Sequence, residues 1–192
     1  TGANANGIVA QRVSSMRAGG DVKISYDGSI TASGPDADGI VAQSTGVAAS
    51  PGDTTSPFPA QSPTAVPNNG NITITIADKG LVSGGSGSGA AIRFIDGKDN
   101  SLVNYGTLTT TKDVAGVTVV GGAGNETFDN YGTLIGQVML GGGTNLFRNH
   151  AGATLAIGAT LDLGGAPLDN DATLSPGNAG TATESSVRNA AV

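Results

Sequence analysis

The chain has no cysteine, no tryptophan and one histidine, and only 12% of its 192 residues are charged. Without cysteine there is neither a disulfide framework nor a thiolate metal site. Four Phe and three Tyr are too few to fill a conventional core with rings. Basic residues are scarce as well, and a net charge of −6 with an isoelectric point near 4.4 speaks against nucleic acid and anionic membrane surfaces as partners. No stretch approaches the roughly 18 apolar residues of a membrane-spanning helix. With His150 as the lone imidazole and no G-x-S-x-G elbow, a Ser-His-Asp triad has almost nothing to be built from.

What the chain does have is glycine, 32 residues of it, among Thr, Ser, Asn, Val and Ala. That mixture suits short strands and sharp corners, because Gly and Asn reach left-handed backbone conformations cheaply. Residues 116–136, 137–158 and 159–180 follow one template: an apolar run, a glycine pair, a second run ending in Asn, a turn, and a third run ending at Gly. Three strands and three corners per repeat, with no helical pattern between them, predict an all-β solenoid, a parallel β-helix. The template is recoverable upstream, where GIVAQ (7–11) recurs at 39–43 and GAAIRF (89–94) takes the same place. DVKISYDGSITASG (21–34) likewise matches NITITIADKGLVSGG (71–85). Unit starts at Gly7, Gly39, Gly89, Gly116, Gln137 and Ala159 give about six turns.

Alternation within the strands assigns the faces. Ile72, Ile74 and Ile76 alternate with Thr73 and Thr75, the period of two of a half-buried strand. On the second strand Leu102, Phe128, Phe147 and Leu168 are expected to stack inward. On the third strand the expected column is Ile30, Leu81, Leu108, Leu134, Leu155 and Leu174. Asn104, Asn130, Asn149 and Asn170 close the second strand in four successive units. An amide donates to one rung and accepts from the next, so these residues are expected to form a structural corner ladder; the competing reading is Asn tolerated in turn geometry.

Residues 47–70 interrupt the scheme with five of the eight prolines. Proline cannot donate to a ladder, so the segment reads as a loop protruding from one corner. It divides the chain into β-helix turns over 1–46, the loop, β-helix turns over 71–180, and a patternless end over 181–192. Long loops on regular scaffolds commonly hold recognition residues, here Asp53, Phe58, Gln61, Asn68 and Asn69; a passive spacer is the alternative.

Other chemistry is weaker. GGAGNETFD (121–129) approaches a calcium-binding nonapeptide, yet Glu126 stands where Asp is needed, and the next turn offers Asn145 and Leu146. One half-site has too few oxygens for calcium. Asp162, Asp169 and Asp171 are close in sequence, as a glycoside-cleaving carboxylate pair would need, but a scatter of solvated surface charges is the default reading. The threonines Thr73/Thr75 and Thr107/Thr109 suggest an ice-binding array, but later units supply Thr133, Thr154 and Thr173 singly. No cofactor motif, metal site or catalytic constellation is expected.

The elements NYGTLIG, NYGTL, LGGGTNLFRN and LSPGNAG, with GIVAQS, DGSITASG and GAAIRFIDG upstream, resemble the passenger domains of bacterial autotransporters, the type V secretion proteins with pertactin-like β-helices. The resemblance covers nearly the whole chain except 47–70. It implies a right-handed β-helix, export through the periplasm, and display at the cell surface or release after passage through a C-terminal outer-membrane barrel outside these residues. A chain beginning at Thr1 is expected to be a piece of such a precursor. No protease or esterase motif of the enzymatic members has a counterpart here. The implied role is a non-catalytic adhesin or self-association stalk, with a host-cell surface protein, a glycan or another copy as partner. A released ligand of a host receptor and a carbohydrate-active β-helix are the alternatives.

Overall fold

The computed structural model describes residues 2–14, 18–46 and 69–177. Within them the backbone passes six times through the same three strand positions. The first sheet stacks Ile8–Val13, Ile40–Thr45, Ile92–Asp96, Val117–Val120, Gln137–Met139 and Leu161–Asp162. The second stacks Val22–Tyr26, Ile72–Ile76, Asp99–Asn104, Asn125–Asn130, Leu146–Asn149 and Leu168–Asn170. The third stacks Ser29–Thr31, Leu81–Gly84, Thr107–Thr110, Thr133–Ile135, Thr154–Ile157 and Thr173–Pro176. Every strand pairing is parallel, and each strand pairs with its counterpart one turn away. The described residues form a parallel β-helix of six turns.

Parallel in-register stacking puts like residues on like. Down the middle of the second sheet runs the inward column Ile24, Ile74, Leu102, Phe128, Phe147 and Leu168. Phe128 and Phe147 lie face to face, centroids 4.6 Å apart and planes 2° from parallel. The first sheet contributes Ile40, Ile92, Val119, Val138 and Leu161 in one buried column. Between its second and third turns the small Ala42 sits in register with the large Phe94, and both are buried.

One register detail differs from the sequence reading. The third-sheet column runs Ile30, Val82, Leu108, Leu134, Leu155 and Leu174, so Val82 and not Leu81 points inward. Leu81 pairs instead with Ser29 and Thr107 on the outer side. Both are aliphatic, and the corner before them fixes which one faces in: Leu81 N bonds Gly28 O at 2.7 Å. In the first sheet the pairing is irregular between Val117 and Val119, and Val119 stands in register with Val138. A 3-10 turn, Asp113–Ala115, leads into that strand.

The columns make the core a continuous stack, and truncating a member leaves a cavity that neighbouring rungs cannot collapse to fill. Phe128→Ala is expected to lower unfolding free energy by about 3–5 kcal/mol and Leu134→Ala by about 2–5 kcal/mol, measured by chemical denaturation. Leu81→Ala, on the outer side, is expected to cost far less than either, and an equal loss would contradict the register.

Candidate functional site

The corner between the second and third sheets is written in the repeated pentapeptide NYGTL, at 104–108 and 130–134, with variants beginning at Asn149 and Asn170. Each of its residues has one direction. The Asn turns inward, the ring that follows turns outward, and the Gly passes beneath the turn above. A Cβ on Gly106 would stand 2.1 Å from Gly80 O, and one on Gly132 2.2 Å from Gly106 O, so no other residue permits that spacing. Thr107, Thr133, Thr154 and Thr173 then form one column on the third sheet, a single file without the paired face of an ice-binding array.

The inward amides interlock. Asn104 Nδ2 donates to Asn130 Oδ1 at 2.8 Å, Asn130 Nδ2 to Asn149 Oδ1 at 2.7 Å, and Asn149 Nδ2 to Asn170 Oδ1 at 2.7 Å. The same nitrogens reach the carbonyls of Thr133, Thr154 and Thr173 at 3.2, 3.3 and 3.4 Å. Asn104, Asn130 and Asn149 are buried and Asn170, on the last turn, is exposed. Above Asn104 the column holds Ile76 and Tyr26, so the ladder begins at the third turn.

Directly outside this ladder the rings stack. Tyr105 lies over Tyr131 with centroids 5.0 Å apart, and Tyr131 over His150 at 4.0 Å and 5° between planes. Both tyrosines are more than two-fifths exposed. His150 is no plain exposed turn residue. The structure instead makes it half-buried, stacked and hydrogen-bonded through Nε2 to Asp129 Oδ1 at 2.7 Å. Arg148, paired in register with Asp129, grips the same carboxylate from Nε at 2.6 Å and Nη2 at 2.9 Å. Burial pushes the Asp129 carboxyl up, but the hydrogen bonds and positive charges of Arg148 and His150 outweigh it and hold the group below its ordinary value. The result is a strip of three stacked rings, two exposed tyrosines and a half-buried histidine, beside a clamped Asp–Arg pair. The sequence signal was available: Tyr105, Tyr131 and His150 each follow a ladder Asn.

The corner that enters the second sheet holds the calcium-like string. Glu126 is buried there in a stack with Asn100 and Asn145. Its Oε1 accepts from Gly122 N and from Asn100 Nδ2, both at 3.0 Å, and its N–H donates to Asn145 Oδ1 at 2.9 Å. Among the described residues no group of three or more His, Cys, Asp or Glu could hold a metal ion. Asp162 accepts from Gly164 N at 2.9 Å on the first sheet, whereas Asp169 and Asp171 lie on and just after the last strand of the second.

Of the loop residues, Asp53, Phe58, Gln61 and Asn68 lie outside the described residues. Asn69 stands at the loop's base, where its Oδ1 accepts from Gly46 N at 2.9 Å. Beside it the buried Ser44 hydroxyl donates to Gly20 O at 3.0 Å and accepts from Gly70 N at 2.9 Å. No helix among the described residues is long and apolar enough to cross a membrane. No family model matches the chain, and neither do any curated protein or solved structure.

Asn130→Ala removes the donor to Asn149 Oδ1 and leaves buried polar groups open; a loss of about 1–3 kcal/mol in denaturation is expected, and a smaller one for the exposed Asn170→Ala. Asp129 gives a pH signature. A carboxyl held below its unfolded value contributes stability above that value and loses it as pH falls through the folded one. The stability advantage of wild type over Asp129→Asn should therefore be full at neutral pH and shrink below the ordinary value of 3.8, as thermal melts across an acid series will show.

Proposed function

We propose that this chain is a non-catalytic, surface-displayed binding rod, a stretch of an autotransporter passenger that acts in adhesion. The observation that carries the reading is the Tyr105–Tyr131–His150 stack, whose two tyrosines are exposed, with its neighbouring half-buried Asp129–Arg148 pair on the stacked strands. Tyrosine offers a large contact area with an apolar body and a polar tip, and ordering it on binding costs little entropy. Here the stacking neighbours and the interlocked amides beneath fix the rings before any partner arrives, which reduces the cost of binding further. A planar guanidinium beside them supplies directional hydrogen bonding.

The partner is a host-cell surface protein or glycan. The location is the bacterial cell surface, or the medium if the passenger is released. Stacked parallel turns also suit secretion, because each rung can bury its apolar face on the one before as the chain emerges. The fine assignment to an autotransporter rests on the repeated NYGTL and LSPGNAG elements.

Purified protein is to be tested for attachment to host cells and to immobilised surface glycans, alongside the double variant Tyr105→Ala/Tyr131→Ala and a deletion of 48–67. Loss of about tenfold or more in affinity for the double variant, with its melting behaviour retained, is the expected outcome. Attachment unchanged in the double variant but lost on the deletion would move recognition to the loop and overturn the assignment of the strip.

A further inference from the structure

The corner at Glu126 contains more acceptors than donors. Its inward column runs Val22, Ile72, Asn100, Glu126, apolar for two turns and then polar. Glu126 is only 2% exposed. Oε1 has its two donors, but Oε2 has none, and Asn100 Oδ1 is the other buried side-chain atom without a partner among the described residues. Both orphans are oxygens, and they belong to two side chains already joined by the Asn100 Nδ2 bond to Glu126.

The surrounding elements offer no relief. From the turn below, Asn145 spends its Nδ2 on Gly141 O and Leu163 O at 3.3 and 3.2 Å. The loop over 121–124 is Gly-Gly-Ala-Gly and brings no side-chain donor. In the turn above, Asp96 is engaged by the Thr45 hydroxyl, Asp99 accepts from Asn125 Nδ2 at 2.8 Å, and Lys98 pairs loosely with Asp99 at 3.6 Å while 70% exposed. None of the ion pairs among the described residues includes Glu126. A carboxylate in this place would be a buried charge with a bare oxygen and no cation, an arrangement proteins avoid by changing protonation.

We propose that Glu126 is a neutral carboxylic acid in the folded chain at neutral pH, with the Oε2 proton donated inside the corner to the open Asn100 Oδ1. Protonation turns one of the two orphan acceptors into a donor for the other, so a single proton satisfies both. Burial acts in the same direction, pushing the Glu126 carboxyl above its ordinary value against the hydrogen bonds from Gly122 and Asn100. Ionisation strips that proton and leaves both oxygens without a donor, so rising pH loosens the joint between the first and second sheets over the third to fifth turns. The rod is thus better held under acid than under alkaline conditions at this corner. The inference is independent of which partner the aromatic strip binds.

The test compares wild type with Glu126→Gln, whose neutral amide supplies the missing donor. A group whose folded value is raised keeps its full contribution below the unfolded value and loses it as pH rises through the folded one. The two proteins should therefore melt with a constant offset below the ordinary value of 4.5. Above it the wild type should fall progressively relative to the variant as pH rises through the raised value of the Glu126 carboxyl. Infrared spectra of both proteins give a second readout: a protonated-carboxyl carbonyl band should persist in the wild type at neutral pH, after the exposed carboxyls have ionised, and should be absent from Glu126→Gln. Parallel pH profiles with no such band would overturn the proposal in favour of a solvated carboxylate. A calcium-induced rise in melting temperature seen in wild type and lost in the variant would overturn it in favour of a cation between the same oxygens.

Discussion

Everything in this molecule depends on parallel, in-register stacking at the strand spacing of about 4.8 Å. Such stacking leaves each inward side chain no choice of neighbour along the axis: it meets the residue at the same strand position one turn above and one turn below. Apolar residues satisfy that condition in any combination that fills the volume, as Ala42 beside Phe94 and Phe128 on Phe147 show. Polar residues satisfy it only if they are complementary to themselves. An amide is, since it offers a donor on one side and an acceptor on the other, and the interlocked Asn104, Asn130, Asn149 and Asn170 use that property. A carboxylate is not, which is why the buried glutamate stands once in its column and between two amides.

The same constraint builds the outer strip. When backbones stack in register, outward residues at one position also form a file, and rings in such a file approach to stacking distance without any dedicated packing. Tyr105, Tyr131 and His150 are therefore ordered by the ladder behind them as much as by one another. A surface feature fixed in this way has little conformational freedom to lose on meeting a partner. The Asp129–Arg148 clamp adds a second layer of order, because each charged group is already oriented by a strand pairing.

Much of the architecture was legible because the template repeats with its corners intact over 100–176. NYGTL announces one inward amide, one outward ring, one tight turn and one inward leucine, and the alternation in ITITI fixes the face of its strand. What was not legible has specific causes. Leu81 and Val82 are adjacent aliphatic residues on a short strand, so alternation alone cannot say which faces in; a single backbone bond at the preceding corner decides. The offset at Val117 and Val119 arises from an irregular pairing, and residue spacing in sequence does not record one. His150 lacked a sequence neighbour to explain it, since Asp129 and Tyr131 lie a full turn away and become contacts only through stacking. Glu126 was visible as a departure from a metal-binding pattern, while its burial and its unmatched oxygen depend on the glycine loop folded over it.

Two inward columns of the second sheet change character at the same place. Ile72 gives way to Asn100 and Ile76 to Asn104, while the column between them stays apolar from Ile24 through Leu168. From the fourth turn onward the corner carbonyls of Thr133, Thr154 and Thr173 lie within reach of the amide one turn before, and an aliphatic residue in the ladder position would leave them bare. Once the amide is required inside, the next residue must point out, and nothing in the core restricts what it is. The file at that outer position is Ala77, Tyr105, Tyr131, His150 and Asp171, a range of chemistry held on a nearly invariant inner support. Support and surface chemistry are thereby assigned to alternate residues of the same dipeptide, so the outer file can vary without disturbing the ladder that holds it in place.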